Sequence, residues 1–141
     1  FNAILGRRVM DETWLDVGRG DVLMPDGRRS YFVADIGELD QIKNRLDRGE
    51  LSPTAPLAGC EPKICSRRTV DDNEIIMQDK LLGPWLMGIF RNGDLRSVRI
   101  IPKNLEWSLV DSTLTLIFEL PKGAYATALL NEIGELAEAH A

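Results

Sequence analysis

Two alternating runs near the carboxy terminus constrain the fold more than any other feature of the chain. Leu105, Trp107 and Leu109 alternate with Glu106 and Ser108, and Leu114, Leu116, Phe118 and Leu120 alternate with Thr113, Thr115, Ile117 and Glu119. A period of two puts successive side chains on opposite faces of a strand, so each run describes a strand with one apolar face. With Asp111-Ser112 as a two-residue turn, antiparallel pairing sets Leu109 opposite Leu114, Trp107 opposite Leu116 and Leu105 opposite Phe118. All six side chains then share one face. A slip of one residue would turn one run over, so the register is strongly specified.

The period changes directly afterwards. Pro121 and Gly123 supply turn chemistry, and from Ala126 the residues Leu129, Leu130, Ile133 and Leu136 form an apolar stripe opposite Thr127, Asn131, Glu135 and Glu138. That is an amphipathic helix. Tyr125 sits at the junction of strand and helix, where its ring can pack beneath the first helical turn or face a cleft. Local pattern leaves both open.

Upstream, Phe1, Ile4, Leu5 and Val9 recur at helical spacing, with Arg7 and Arg8 largely off that face. This reads as the end of a helix whose start is missing, and a chain opening without Met inside an apolar pattern suggests a fragment. Asp21–Met24 and Ser30–Ala34 are β-prone runs flanking Pro25-Asp-Gly-Arg-Arg29, which predicts a hairpin. Leu39, Ile42 and Leu46 give a helix over Glu38–Arg48, with Gly49 just past its end. Leu51–Pro62, with its three prolines and a glycine, reads as a loop. Asp71 or Asp72 can cap a helix running to about Leu82, stopped by Gly83-Pro84. Trp85–Phe90 is apolar without a clear period, Arg91–Asp94 is a turn or linker, and Val98–Ile101 is a β run ended by Pro102. The expected fold is α+β: a mixed region over residues 1–94, then antiparallel strands and a terminal helix over residues 95–141.

Several chemistries lack their residues. His140 is the only histidine and penultimate in the chain, so Ser-His and Cys-His nucleophiles have no credible base. Cys60-x4-Cys65 has no second Cys/His pair at ligand spacing, which argues against zinc, and the two thiols fit a cytosolic protein better than a disulfide scaffold. Neither a GxGxxG nor a GxxxxGK[ST] phosphate loop occurs. No apolar run approaches the roughly 20 residues that span a bilayer. Asp71, Asp72 and Glu74 serve either as a helix start or as paired carboxylates for acid–base work. With 17 basic and 22 acidic residues the formal net charge is −5, which argues mildly against a nucleic-acid binder. Arg7-Arg8, Arg28-Arg29, Arg67-Arg68 and Arg96 with Arg99 are either solvated faces or, if folding brings them together, a patch.

At this point the residues suggest a family. Leu120-Pro-x-Gly-x-Tyr-Ala-Thr-x-Leu-Leu-x-Glu132 resembles the closing signature of the TruD family of tRNA pseudouridine synthases. Ile101-Pro102 and Leu105-x-Trp107 extend the likeness upstream. Leu51-Ser-Pro-Thr-Ala-Pro-Leu-x-Gly59 resembles the proline-rich loop of the family's insertion domain. Gly20-Asp-Val-Leu-Met24 with Tyr31-Phe-Val-Ala34 looks like its hairpin, and Phe1-Asn2 with Arg8 like the tail of one of its helices. The closing signature is specific, whereas the hairpin and loop would be weak alone.

The resemblance implies isomerisation of a tRNA uridine to pseudouridine (position 13 in the bacterial members), with no cofactor or metal, in the cytoplasm. The target base is flipped from the stack, as chemistry on a base requires. The family's catalytic aspartate belongs to a Gly-x-Lys-Asp motif in its amino-terminal half, and nothing in these 141 residues matches it. The chain then corresponds to most of the insertion domain (residues 1–94) and the end of the catalytic domain (residues 95–141), inactive alone and partnered by tRNA and the amino-terminal half. Tyr125 is implied to stack on or wall the flipped uracil, with Gly123 and Thr127 shaping the same turn. Asn131 stands where the family usually has Arg, so a phosphate role at that position is not carried over. A non-catalytic RNA-binding or RNA-folding module is the alternative.

Overall fold

The computed structural model describes residues 1–57, 67–78, 80, 83 and 95–134. Cys60, Cys65, His140, Trp85–Phe90, Arg91–Asp94 and the helix end beyond Gly134 lie outside the described residues. The chain divides into two compact units, Phe1–Arg99 and Ile100–Ala141. It is an α+β protein, and among the described residues no helix is long and apolar enough to cross a membrane.

Unit 1 contains α1 (Asn2–Met10), β1 (Val22–Pro25), β2 (Phe32–Val33), a short 3-10 turn (Ile36–Glu38), α2 (Leu39–Asp47), β3 (Leu51–Pro56), α3 (Arg67–Gln78) and β4 (Leu95–Ser97). Its strands form one antiparallel sheet in the order β2-β1-β3-β4. The expected hairpin forms, with Val22 opposite Val33 and Leu23 opposite Phe32. Ile42 and Leu46 of α2 pack with Leu23, Ala34 and Leu51 into one apolar cluster. Ile4 of α1, Ala55 and Val98 form a second, with Trp14, Ile75 and Ile76 against it.

Helix α2 ends as its sequence demands. Gly49 adopts φ +76°, its N–H donates to the Leu46 carbonyl (2.9 Å), and the Glu50 N–H reaches back to the Arg45 carbonyl (2.9 Å). This double closure satisfies two carbonyls that a helix end would otherwise leave open. Gly49→Ala puts a Cβ on a left-handed residue and is expected to cost about 1–2 kcal/mol, read by thermal unfolding.

Four expectations are corrected in this unit. Leu51–Pro56 is a strand, not a loop, and every residue in it is buried. Residues 51–53 pair with β1 and residues 54–56 with β4, so Pro53 and Pro56 each end a ladder, where a missing N–H costs least. Its buried hydroxyls are satisfied, Thr54 Oγ1 donating to the Val22 carbonyl (2.9 Å) and Ser52 Oγ accepting from Arg99 Nε (3.1 Å). Helix α3 starts at Arg67, so Asp72 lies within it and caps nothing. Arg8 is buried, not on a solvated face. The strand expected at Val98–Ile101 is Leu95–Ser97 instead, and it pairs with β3.

Unit 2 contains β5 (Lys103–Val110), β6 (Thr113–Glu119) and α4 (Ala126–Ile133). Asp111 (φ +45°) and Ser112 (φ +69°) both adopt left-handed backbone, the requirement of the mirror-image turn whose twist suits a two-residue hairpin. Leu109 pairs with Leu114 and Trp107 with Leu116 as the alternation predicts. The third expected pair, Leu105 with Phe118, is lost in an irregularity between Lys103 and Glu106, where Asn104 turns to φ +51°. The apolar face of this hairpin is open: Trp107 is 70% exposed, and Leu105, Leu109 and Leu114 are exposed with it.

Candidate functional site

Among the described residues, two places stand out for a reactive or recognising site. One is the junction of β6 and α4. Past Glu119 the chain turns with the Ala124 N–H donating to the Pro121 carbonyl (3.0 Å), and Gly123 takes φ +91° with open space where a Cβ would stand. Tyr125 follows in extended backbone (φ −112°, ψ 128°) as the residue immediately before the helix. That position favours Ser, Thr, Asp or Asn, whose side chains accept a bond from the first-turn amides. A phenol makes no such bond here; only the Tyr125 backbone carbonyl takes part, accepting from the Ala128 N–H at 3.1 Å.

Tyr125 is 71% exposed as a residue, so its ring does not pack beneath the helical turn. Helix capping does not explain the residue and neither does core packing. Gly123, Tyr125 and Thr127 lie on this one turn, with Thr127 exposed in the first turn of α4. Asn131 is exposed farther along the same helix.

The second place is a cleft of about 1550 Å³ in unit 1, with residues of α1, the α1–β1 connection and α3 in its wall. Arg8, 5% exposed, donates from Nη2 to Asp72 Oδ2 (2.5 Å) and from Nη1 to the Thr54 carbonyl (3.0 Å). Beside this pair, Arg68 Nε lies 3.5 Å from Asp21 Oδ2, which also accepts from the Gly18 N–H at 2.9 Å. Burial pushes the Asp72 carboxyl above its ordinary value and the Arg8 guanidinium below its own, while the attraction between them opposes both shifts. Arg8 stays charged, because a guanidinium keeps its proton in proteins.

Asp72 is therefore engaged by Arg8, and Asp71 and Glu74 are exposed on α3. The paired-carboxylate reading fails at Asp72: this carboxylate is committed to Arg8 of another helix. Sequence pattern missed the pair because its members are 64 positions apart.

The family model for tRNA pseudouridine synthase D (TruD) matches residues 1–133. The chain belongs to the TruD family. It is 33% identical over 144 residues to tRNA pseudouridine synthase D of Nitrosococcus oceani, covering 99% of this chain and 39% of that protein. It is also 33% identical over 148 residues to the enzyme of the same name from Xanthomonas axonopodis pv. citri, covering 99% of this chain and 38% of the relative. The chain thus spans about two fifths of the length of the curated relatives it matches. A crystal structure described as the putative TruD of Methanosarcina mazei shares the fold, with TM-score 0.65 at 22% identity over 94% of this chain and 35% of that one. The TruD-like signature around Tyr125 lies inside the matched range.

Proposed function

We propose that this chain serves as the carboxy-terminal portion of a TruD enzyme that isomerises a tRNA uridine, at position 13, to pseudouridine in the cytoplasm. The observation that carries the site is the 71% exposure of Tyr125 at a helix start that a phenol cannot cap, within a signature of the TruD family. Tyr125 walls the flipped uracil and stacks on it while the base is detached, and the Gly123 turn and Thr127 shape that wall. The nucleophilic aspartate comes from an amino-terminal half of the enzyme that lies outside these 141 residues.

The open face of the β5–β6 hairpin supports the same reading, because contiguous apolar surface of this kind marks a contact to be covered. The amino-terminal half is its occupant. Adding that half is expected to produce pseudouridine-forming activity and to shield Trp107 from acrylamide quenching, with the 141-residue chain inactive alone. Activity from the chain alone would place the nucleophile here and overturn the division of labour. RNA binding without turnover, once the halves are joined, would favour the non-catalytic RNA module.

A further inference from the structure

A tRNA-handling protein of formal net charge −5 must hold RNA with cations that its own carboxylates leave unneutralised. Among the described residues, unit 1 uses most of its guanidinium groups internally. Arg7 pairs with Asp11, Arg8 with Asp72, Arg45 and Arg48 with Glu50, and Arg68 with Asp21. Arg99 donates to Ser52 Oγ and to the Leu46 and Leu51 carbonyls, and Arg96 lies 5.3 Å from the centre of the Phe1 ring. Arg28 and Arg29 differ. Both are exposed, and neither has a carboxylate partner among the described residues. Arg19, Lys43, Lys80 and Lys122 also lack one but stand singly in the chain.

The β1–β2 loop carries these two arginines on a rooted support. Its start is tied to the sheet's neighbourhood by the Asp26 N–H donating to the Glu50 carbonyl (2.9 Å), and its turn by the Arg28 N–H donating to the Pro25 carbonyl (3.1 Å). At the hairpin base the Ala34 N–H donates to the Asp21 carbonyl (2.8 Å). Tyr31 follows two residues after Arg29 and is 45% exposed, whereas its neighbour Phe32 packs against the apolar cluster beneath. Two guanidinium groups without a carboxylate partner, in the same loop as an exposed aromatic residue, match the chemistry of unpaired RNA: charge for the phosphates, a flat face for a base.

We propose that the β1–β2 loop is an RNA-docking surface, with Arg28 and Arg29 on backbone phosphates and Tyr31 stacked on an unpaired base. The choice of tRNA as partner rests on the pseudouridine-synthase reading above; the choice of surface does not. The site is separate from Tyr125 and adds grip outside the reacting base.

The test is tRNA affinity of the joined enzyme measured across a salt series. Each lost phosphate contact lowers the slope of log affinity against log salt by about 0.7–0.9. Arg28→Ala/Arg29→Ala is therefore expected to lower it by about 1.4–1.8. The control is Arg7→Ala/Arg45→Ala, which removes two arginines each paired with a different carboxylate, Asp11 and Glu50, and is expected to leave the slope unchanged. Tyr31→Ala is expected to weaken binding about 5- to 150-fold at every salt concentration, and Tyr31→Phe to restore it. An unchanged slope in the Arg28/Arg29 variant overturns the proposal, and so does an equal fall in both double variants, which would report net charge alone. A parent enzyme that binds tRNA with no salt dependence would sink the tRNA reading itself, a result distinct from either.

Discussion

Asp72→Ala is expected to destabilise unit 1 by about 3–5 kcal/mol, close to the whole stability of a small domain. The loss does not measure the strength of the ion pair. Asp72 and Arg8 are 4% and 5% exposed, so removing the carboxylate leaves a charged guanidinium in a site that water scarcely reaches. The Thr54 carbonyl remains as an acceptor, but it carries no charge to balance the cation. Replacing both members by apolar residues of similar length, Arg8→Met with Asp72→Leu, is expected to recover most of the stability, since the charges then cost nothing to bury. Protection of the β3 amides against hydrogen exchange is the measurement, because β3 reports unit 1 apart from the β5–β6 hairpin. A loss under 1 kcal/mol in the single variant would mean that water reaches Arg8 through the adjoining cleft.

That pair also shows where sequence pattern stops. The β5–β6 hairpin was legible because alternation, a two-residue turn and one apolar face all specify the same register. Its one failure, Leu105 against Phe118, comes from a backbone twist at Asn104 that side-chain period does not encode. Helix α2 was legible for the same reason: spacing and the terminal Gly49 agree. β3 was not. Its two prolines and its small polar residues argue against a strand locally, and its order comes from β1 and β4, partners distant in sequence. Arg8 was misread because helical spacing assigns a charged residue to water unless a partner is known, and Asp72 is supplied by a different helix. Tyr125 fell between these cases, its position readable and its exposure not.

Tyr125→Ala is expected to lower kcat/KM for pseudouridine formation by the joined enzyme about 5- to 150-fold, the loss of one base–aromatic stack of ~1–3 kcal/mol. The residue is 71% exposed and its side chain makes no capping bond, so truncating it should leave folding nearly unchanged. Surface substitutions of that kind usually stay within about 0.5 kcal/mol. Stability and turnover therefore separate at this residue, whereas at Asp72 they fall together. A stack needed while the uracil is detached stabilises that state more than bound substrate, so kcat should fall more than KM rises. Tyr125→Phe keeps the ring and is expected to retain most of the activity, which distinguishes stacking from proton transfer by the hydroxyl. If Phe is as damaging as Ala, the phenol oxygen does the chemistry and stacking is the wrong account. Should both variants turn over at the parent rate, the exposed ring belongs to the contact with the amino-terminal half and not to the uridine pocket.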